Sequence, residues 1–400
     1  MPDDWATGAS PQTEADDVVI MAVGDIGPDR DDPSELFEPT KDLIGGADLA
    51  FCQLEFVLSE RGERLPQVRH TIRAHPRAAA ALVSAGFNVV SFAGNHCLDF
   101  GTEALQDTKR HLTEAGAAVV GVGDNIEEAR QPVIREIRGT RVAFLAYSSV
   151  LPQGFWATAK RAGCAPMRAF TFYEQIEHDQ PGTPPRVHTF AHRDDLQALR
   201  ADVKRARAAA DIVIVSVHWG IHFIPAAIAD YQRDVGHAAI DAGADAVLGH
   251  HAHILKGVEL YRGKPIFYSL ANYAMDTRVT PEHAASPEFR EIQQLNPLWI
   301  PNFSSTFNFP PDSRKTIIAR LVVRDGAIHD VAFLLGWIND NSQTEPLTPA
   351  DPRYHDVVTY LRDITNSAGL DTDYVIEGPL VRPVKASQPE ASLADPGGGR

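Results

Sequence analysis

The chain has 400 residues, of which 44% are hydrophobic, so it can bury a large core in one big domain or two smaller ones. Its 37 basic and 53 acidic residues give a formal net charge of −16. Nucleic acids and anionic membranes attract clustered Lys and Arg, so this charge argues against both as partners. The three cysteines, Cys52, Cys97 and Cys164, lack zinc-like or redox-like spacing, which argues against a disulfide framework.

The two ends of the chain lack apolar periodicity. Residues 1–16 are polar and acidic, and residues 384–400 are rich in Pro, Ser, Ala and Gly, so we predict that both are disordered. The apolar run that follows the acidic start is shorter than a membrane span of about twenty residues and has no basic flank typical of a secretory signal. We therefore expect a cytoplasmic protein that has no membrane as partner.

Residues 17–383 are predicted to form one α/β domain, because short apolar runs of strand length alternate with helical patterns. Two irregular stretches, at about 151–193 and 275–311, are predicted to be insertions over one face. The predicted strands are Val18–Asp25, Leu49–Glu55, Val89–His96, Ala118–Val122, Val133–Ile137, Val142–Tyr147, Ile212–His218, Ala244–Leu248, Val258–Tyr261, Pro265–Leu270, Thr316–Val323 and Val331–Leu335. The predicted helices are Arg77–Ala85, Thr102–Ala115, Asp194–Ala210, capped by Asp194 or Asp195, then Ile228–Ala242 and Tyr354–Asn366.

Five of the predicted strands end in polar groups that can bind metal. The carboxyl ends of parallel strands line the ligand crevice in open α/β sheets, so these groups should converge. In an extended segment side chains two apart point the same way, so His251 and His253 can hold one cation. Oxygen and imidazole ligands suit one or two Mn, Fe or Zn ions and argue against a closed structural zinc site. The expected metal ligands are Asp25, Glu55, Asn95, His218, His251 and His253.

Six segments together resemble the CapA-type family, a branch of the calcineurin-like metallophosphatase superfamily whose members are described as poly-γ-glutamate (capsule) synthesis proteins. They are Gly24-Asp25, Leu54-Glu55, Ala93–Gly101, Val217–Gly220, Gly249–His253 and Tyr268–Tyr273. The resemblance implies a four-layer αββα sandwich with loop insertions. It also implies that Asn95 binds metal through its amide oxygen and that His96 donates a proton to the substrate.

The chain departs from the pattern of this family at several site positions. Gly27 replaces a histidine of the superfamily's Asp-x-His motif, so one metal position loses a usual ligand. Glu55 stands where an aspartate commonly bridges two metals, and His222 stands where the family often has an acidic residue. Asn272 matches a family position that closes the site, with Ala271 in place of a usual glycine.

Four residues are predicted to support catalysis beside the metal. Asp99, three residues after His96, either orients the His96 imidazole or caps the following helix. His222 and His250 are extra imidazoles that can serve as acid or base, although a surface or supporting position is the alternative for each. The predicted catalytic set is therefore His96, Asp99, His222 and His250.

Three functions are compatible with these residues. The first, slightly favoured, is metal-dependent hydrolysis of a peptide or amide-type substrate, with His96 protonating the leaving group. The second is Cα epimerisation of a ribosomally made peptide, to which the family resemblance extends and for which the extra imidazoles would supply a second acid or base. The third is a non-catalytic component of poly-γ-glutamate synthesis, which the acidic net charge and the missing membrane segment disfavour.

Overall fold

The computed structural model describes residues 13–68, 70–294 and 296–386. Its strands, numbered in chain order, are β1 Val18–Gly27, β2 Leu49–Leu54, β3 Val57–Leu58, β4 Arg73–Ala74, β5 Val89–Ser91, β6 Ala118–Val120, β7 Val122–Gly123, β8 Val133–Ile137, β9 Thr140–Ser148, β10 Gly163–Cys164, β11 Ala169–Glu174, β12 Arg186–Ala191, β13 Ile212–His218, β14 Ala246–His250, β15 Val258–Tyr261, β16 Lys264–Phe267, β17 Asn272–Met275, β18 Lys315–Arg324, β19 Ala327–Ile338, β20 Thr344–Pro346, β21 Thr372–Glu377 and β22 Leu380–Lys385.

The helices pack outside the sheets and are mostly short. They are α1 Lys41–Gly45, α2 Ala78–Ser84, α3 Gly101–Ala115, α4 Ile126–Ala129, α5 Arg193–Ala209, α6 Asp230–Ala242, α7 Pro281–Ala284, α8 Pro287–Gln293 and α9 Pro352–Ser367. α3 and α6 both end at a glycine in the left-handed region, Gly116 at φ 111° and Gly243 at φ 117°, where the missing Cβ removes the steric cost of stopping the helix.

Two sheets form the centre of the fold. The larger sheet has the order β21-β22-β19-β18-β1-β2-β5-β6, with β17 and β20 paired to β1 and β19. Within it β1, β2, β5 and β6 run parallel, while β18 is antiparallel to β1. The smaller sheet has the order β15-β16-β14-β13-β9-β8, with β9, β13, β14 and β16 parallel. The parallel strands at the centre of each sheet carry the metal-capable residues at their carboxyl ends.

The main hydrophobic core lies between the two sheets. Phe51 of β2 stacks on Phe144 of β9 with ring centroids 5.7 Å apart. Along β9 the side chains alternate: Phe144 joins the central core, while Ala143 and Leu145 join a second cluster that also contains Leu199 of α5. This alternation buries both faces of the smaller sheet, so helix, sheet, sheet and helix form four layers. The α/β sandwich predicted from the sequence is confirmed.

Most predicted elements are present, and several details differ. The final two strands, β21 and β22, were missed, and β22 continues to Lys385, two residues into the segment predicted as a tail. The insertion 151–193 contains the hairpin β11–β12, and 275–311 contains α7 and α8. The predicted cap of α5 is wrong: His192 is the N-cap, and Asp195 instead pairs with Arg168 at 2.7 Å. The predicted disorder of residues 1–12 and 387–400 lies outside the described residues.

None of the helices in the described part of the chain is long and apolar enough to cross a membrane. The longest, α5, has 17 residues.

Gly24 allows β1 to pass close to the backbone that follows the smaller sheet. A Cβ at this position would lie 1.9 Å from the carbonyl oxygen of Ala271. We expect Gly24→Ala to lower the free energy of unfolding by about 3 kcal/mol, because backbone cannot move aside as a flexible side chain can. Gly45→Ala is the control, since no atom lies within 4 Å of its added methyl group, and it should be neutral or slightly stabilising. Urea unfolding measures both, and equal stability of the two variants would contradict the close approach.

Candidate metal centre

The metal-capable residues come together where the two sheets face each other. Asp25 lies near the end of β1, Glu55 directly follows β2, and His218 is the last residue of β13. Ligand atoms of these three buried side chains all lie within 4.8 Å of one another. The convergence follows from the parallel strands, whose carboxyl ends meet at one edge of the sandwich.

One group of donors surrounds Nε2 of His218. The amide Oδ1 of Asn95 lies 2.6 Å from this nitrogen, Nδ1 of His251 lies 3.2 Å from it, and Oε1 of Glu55 lies 3.4 Å from it. Two imidazoles, one amide oxygen and one carboxylate oxygen therefore point to a common centre. This donor set suits Mn, Fe or Zn.

A second group surrounds the carboxylate of Asp25. Its Oδ2 accepts a hydrogen bond from the backbone N–H of His251 at 3.0 Å and lies 3.6 Å from Nδ1 of His253. Nδ1 of His253 also lies 2.7 Å from Oδ1 of Asn272, which orients the ring. The Asp25 carboxylate is also adjacent to the first group, because it lies within 4.8 Å of ligand atoms of Glu55 and His218.

The electrostatics of the centre fit a bound cation. Oε1 of Glu55 and Oδ1 of Asp25 are buried without a hydrogen-bond partner among the described residues. Burial, and then the carboxylates of Asp25 and Asp99, raises the pKa of Glu55 well above its ordinary value. Burial lowers the pKa of His218 to about 3, which keeps its imidazole neutral and available as a ligand. A divalent ion would offset the repulsion between the carboxylates, so the residues present fit the expected metal.

The prediction that His251 and His253 lie in an extended segment is wrong, although both residues face the site. β14 ends at His250, and the next residues leave the extended conformation: His251 has φ 86° and His253 has φ 54°. Left-handed backbone costs a non-glycine residue roughly 1–2 kcal/mol, so the surrounding contacts must hold these two positions. The histidines converge because the loop is bent, and their ring centroids are 6.1 Å apart.

His96 is held by Asp99 at the mouth of the centre. Nδ1 of His96 lies 2.8 Å from Oδ2 of Asp99, and Nε2 of His96 lies 3.8 Å from Oε2 of Glu55. The same Asp99 oxygen accepts the backbone N–H of Ile72 at 2.8 Å. Phe100, not Asp99, is the N-cap of α3. Of the two predicted roles for Asp99, the geometry supports orientation of the His96 ring.

The two extra imidazoles occupy different environments. His222 lines the cavity above the centre, its ring centroid lies 3.9 Å from that of His251, and its buried Nε2 has no partner among the described residues. His250 is fully buried in β14, where its Nδ1 lies 3.2 Å from Oδ1 of Asp25. His222 can therefore reach a molecule in the cavity. His250 lies behind Asp25 and outside the cavity lining, so it is not placed to touch a substrate.

Phe56 occupies the space that a side chain at position 27 would need. A Cβ on Gly27 would lie 2.2 Å from the ring of Phe56. A histidine at position 27, which the family resemblance would lead one to expect, would therefore collide with this aromatic ring.

A cavity of about 690 Å³ opens above the metal centre. His96, His222 and His253 lie in its wall, and much of the remaining lining is apolar. Four rings form an aromatic wall: Phe223 lies 5.6 Å from Trp299 and 5.9 Å from Phe309, and Phe289 lies 4.9 Å from Trp299. Sequence reasoning missed these residues. For Phe289, Trp299 and Phe309 the signal was the aromatic content of the 275–311 insertion, which indicates neither a cavity nor its shape; Phe223 lies outside that stretch.

The fold and site define a two-sheet α/β protein with a buried centre of carboxylate, amide and imidazole groups that can hold a divalent metal. The family model described as bacterial capsule synthesis protein PGA_cap matches residues 18–277, and the chain belongs to that family. The resemblance drawn from the sequence motifs is thereby confirmed. The match includes all six expected metal ligands and ends at the start of the 275–311 insertion.

The relatives of known sequence match part of the chain. The capsule biosynthesis protein CapA of Bacillus anthracis is 30% identical over 205 residues, which are 51% of this chain and 44% of that protein. A Mycobacterium tuberculosis protein named as a probable polyglutamine synthesis accessory protein is 32% identical over 235 residues, 57% of this chain and 56% of that protein. The chain therefore spans about half the length of these curated relatives.

Among solved structures, the calcineurin-like phosphoesterase YfkN of Bacillus subtilis is similar with a TM-score of 0.41 and 13% identity, over 88% of this chain and 98% of that one.

Proposed function

We propose that this protein is a metal-dependent enzyme that inverts the configuration at Cα of a residue in a peptide substrate, and that this residue carries a large apolar side chain. The observation that carries the proposal is the placement of two imidazoles, His96 and His222, in the wall of one apolar cavity above the metal centre. Epimerisation needs one group to accept the Cα proton and another to return a proton to the opposite face. Hydrolysis needs a single proton donor.

The metal centre would be formed by Asp25, Glu55, Asn95, His218, His251 and His253. A divalent ion held there supplies Lewis-acid polarisation of a substrate carbonyl, which makes an adjacent C–H bond more acidic. Asn272 orients the ligand His253 through a 2.7 Å contact, and His250 packs 3.2 Å from the carboxylate of Asp25.

The protein's own residues then account for the proton movements. A neutral His222 accepts the proton from Cα, and His96, oriented by Asp99 through the 2.8 Å contact, delivers its Nε2 proton to the other face. One C–H bond breaks and one forms, so the peptide keeps its length and composition. The reverse direction uses the same two groups with exchanged roles.

The cavity chemistry supports an apolar peptide side chain over an acidic polymer. Phe223, Trp299 and Phe309 would contact such a side chain. The arginines in the lining, Arg73 and Arg278, are accompanied by carboxylates, including Asp29 and Asp276, so the wall offers no net positive charge for successive glutamates. A peptide-maturation role fits this chemistry better than a role on a capsule polymer.

Metal-dependent hydrolysis of an amide is the second candidate. The His96–Asp99 pair favours it, because an oriented imidazole beside a metal centre is sufficient to protonate a leaving group. In that reaction His222 would contact substrate without transferring a proton. The two candidates therefore differ in what His222 does.

Incubation of the manganese-loaded protein in D₂O with N-acetylated peptides that contain Phe, Leu or Glu tests the proposal. We expect deuterium at Cα of the apolar residue and a mixture of D and L forms, with no cleavage. His222→Asn should reduce this exchange by about 100-fold or more, while the control His188→Asn, on the exposed hairpin, should not. Cleaved peptides would support hydrolysis instead. Intact, undeuterated peptides beside a fully loaded metal centre would favour a binding role.

A further inference from the structure

The loop that carries His222 and Phe223 has a strained backbone. It joins β13 to α6 and includes three residues in the left-handed region: Gly220 at φ 92°, Phe223 at φ 55° and Ala226 at φ 57°. Only glycine adopts this conformation without cost. The loop needs outside contacts to keep the shape that places His222 in the cavity.

Three hydrogen bonds from outside the loop hold its residues 220–224, on either side of His222. The N–H of Gly220 donates to the hydroxyl of Tyr231 at 2.8 Å, and the N–H of Phe223 donates to the carbonyl of Ala252 at 3.1 Å. The third comes from a side chain: Nζ of Lys256 donates to the carbonyl oxygen of Ile224. Ala252 and Lys256 lie on either side of His253, so the segment that carries the proposed metal ligands also holds the His222 loop.

Lys256 is an unusual residue for its position. It is only 1% exposed, whereas a buried lysine ordinarily pairs with a carboxylate. Among the described residues no carboxylate ion pair is recorded for Lys256, and the Ile224 carbonyl is its recorded side-chain partner. Burial lowers its pKa to about 7, so the side chain can be accommodated as a neutral amine. A methionine would fill the same volume without burying a polar group, so packing alone does not account for a lysine here.

We propose that Lys256 is a positioning residue whose bond to Ile224 holds the 219–229 loop so that His222 and Phe223 face the cavity. The importance of this contact for catalysis rests on the proposed function, in which His222 transfers a proton. The contact itself does not depend on the reaction.

Hydrogen–deuterium exchange of the metal-loaded protein tests the contact directly. Lys256→Met removes the donor and keeps the volume, and amides at positions 220–227 should then exchange about tenfold faster, which corresponds to the loss of one hydrogen bond. Lys256→Gln retains an N–H donor and should restore part of the protection. Lys264→Met is the matched control, because Lys264 also donates to a backbone carbonyl, that of Ala244 at 3.0 Å, in a different loop. Unchanged exchange at 220–227 in Lys256→Met would overturn the proposal.

Turnover separates a positioning role from a general loss of structure. We expect Lys256→Met to keep its metal content and to have a urea midpoint at neutral pH no lower than that of the unmodified protein, while the rate of Cα deuteration falls about tenfold or more, and Lys256→Gln to recover part of that rate. A parallel fall in metal content and in global stability would overturn the positioning role. Absence of Cα deuteration in the unmodified protein would refute the proposed function, and the exchange experiment on the loop would still decide the contact.

Discussion

Replacement of His251 and His253 together by alanine is expected to empty the metal centre. The two substitutions remove one imidazole from the donor group around His218 and the imidazole beside Asp25, so each half of the centre loses a ligand. We expect metal affinity to fall by more than about 100-fold, since loss of a supporting partner alone typically costs 10–100-fold. Elemental analysis of the purified protein measures the metal content, and the Cα deuteration assay should show a parallel loss of activity.

The control for this experiment is His188→Ala, because His188 lies on the β11–β12 hairpin and pairs with Glu174 at 2.8 Å. It should keep the metal content of the unmodified chain. The single variants are informative as well: His251→Ala should reduce metal content more than His253→Ala, since His251 joins the group with four converging donors. Full metal content in the double variant would show that the centre lies elsewhere.

Stability should increase with pH above neutrality because of Lys256. Burial lowers its pKa from 10.5 to about 7, so between these values the unfolded chain binds more protons than the folded one. Because folding releases a proton in this pH range, the free energy of unfolding rises with pH between about 7 and 10.5. Below the pKa of the folded protein it no longer changes with pH on account of Lys256. From about pH 7.5 to about pH 9 the contribution of this one residue is on the order of 2 kcal/mol.

Urea unfolding of the unmodified protein and of Lys256→Met over this pH range isolates that contribution. Other groups titrate in both proteins, so the difference between the two curves belongs to Lys256. Lys264→Met should follow the unmodified protein, because Lys264 is partly exposed and paired with Asp245 at 2.9 Å. Parallel curves for Lys256→Met and the unmodified protein would mean that Lys256 remains protonated in the fold.

The sequence was most informative where residues that can bind metal stand at the ends of predicted parallel strands. Apolar runs that end in Asp25, Glu55, Asn95 and His218 indicate parallel strands with ligands at one edge, and this prediction needs only the side-chain period of a strand and the rule for carboxyl ends. The structure places all four in one buried centre. The way in which His251 and His253 converge could not be predicted from the sequence. It depends on left-handed backbone at both residues, which the local sequence pattern does not indicate.

The roles of the supporting residues depended on contacts between distant segments. From the sequence alone, His222 and His250 are equally plausible acids or bases. In the structure His222 lines the cavity, whereas His250 is buried behind Asp25. Asp99 could cap a helix or orient His96, and only the position of its carboxylate decides. Phe56 follows Glu55 in the chain, but its occupation of the space beside Gly27 is a tertiary contact.

The sequence by itself thus determined the α/β class and the ligand types, which follow from periodicity and from residue chemistry at strand ends, and its motifs indicated the family and with it the two-sheet sandwich. Only the tertiary structure decided the aromatic cavity, the packing of the Phe56 ring beside Gly27, and the burial of Lys256 against the Ile224 carbonyl. These features arise where loops and insertions from separate parts of the chain pack together. Their conformations are set by contacts across the fold and not by the spacing of neighbouring residues.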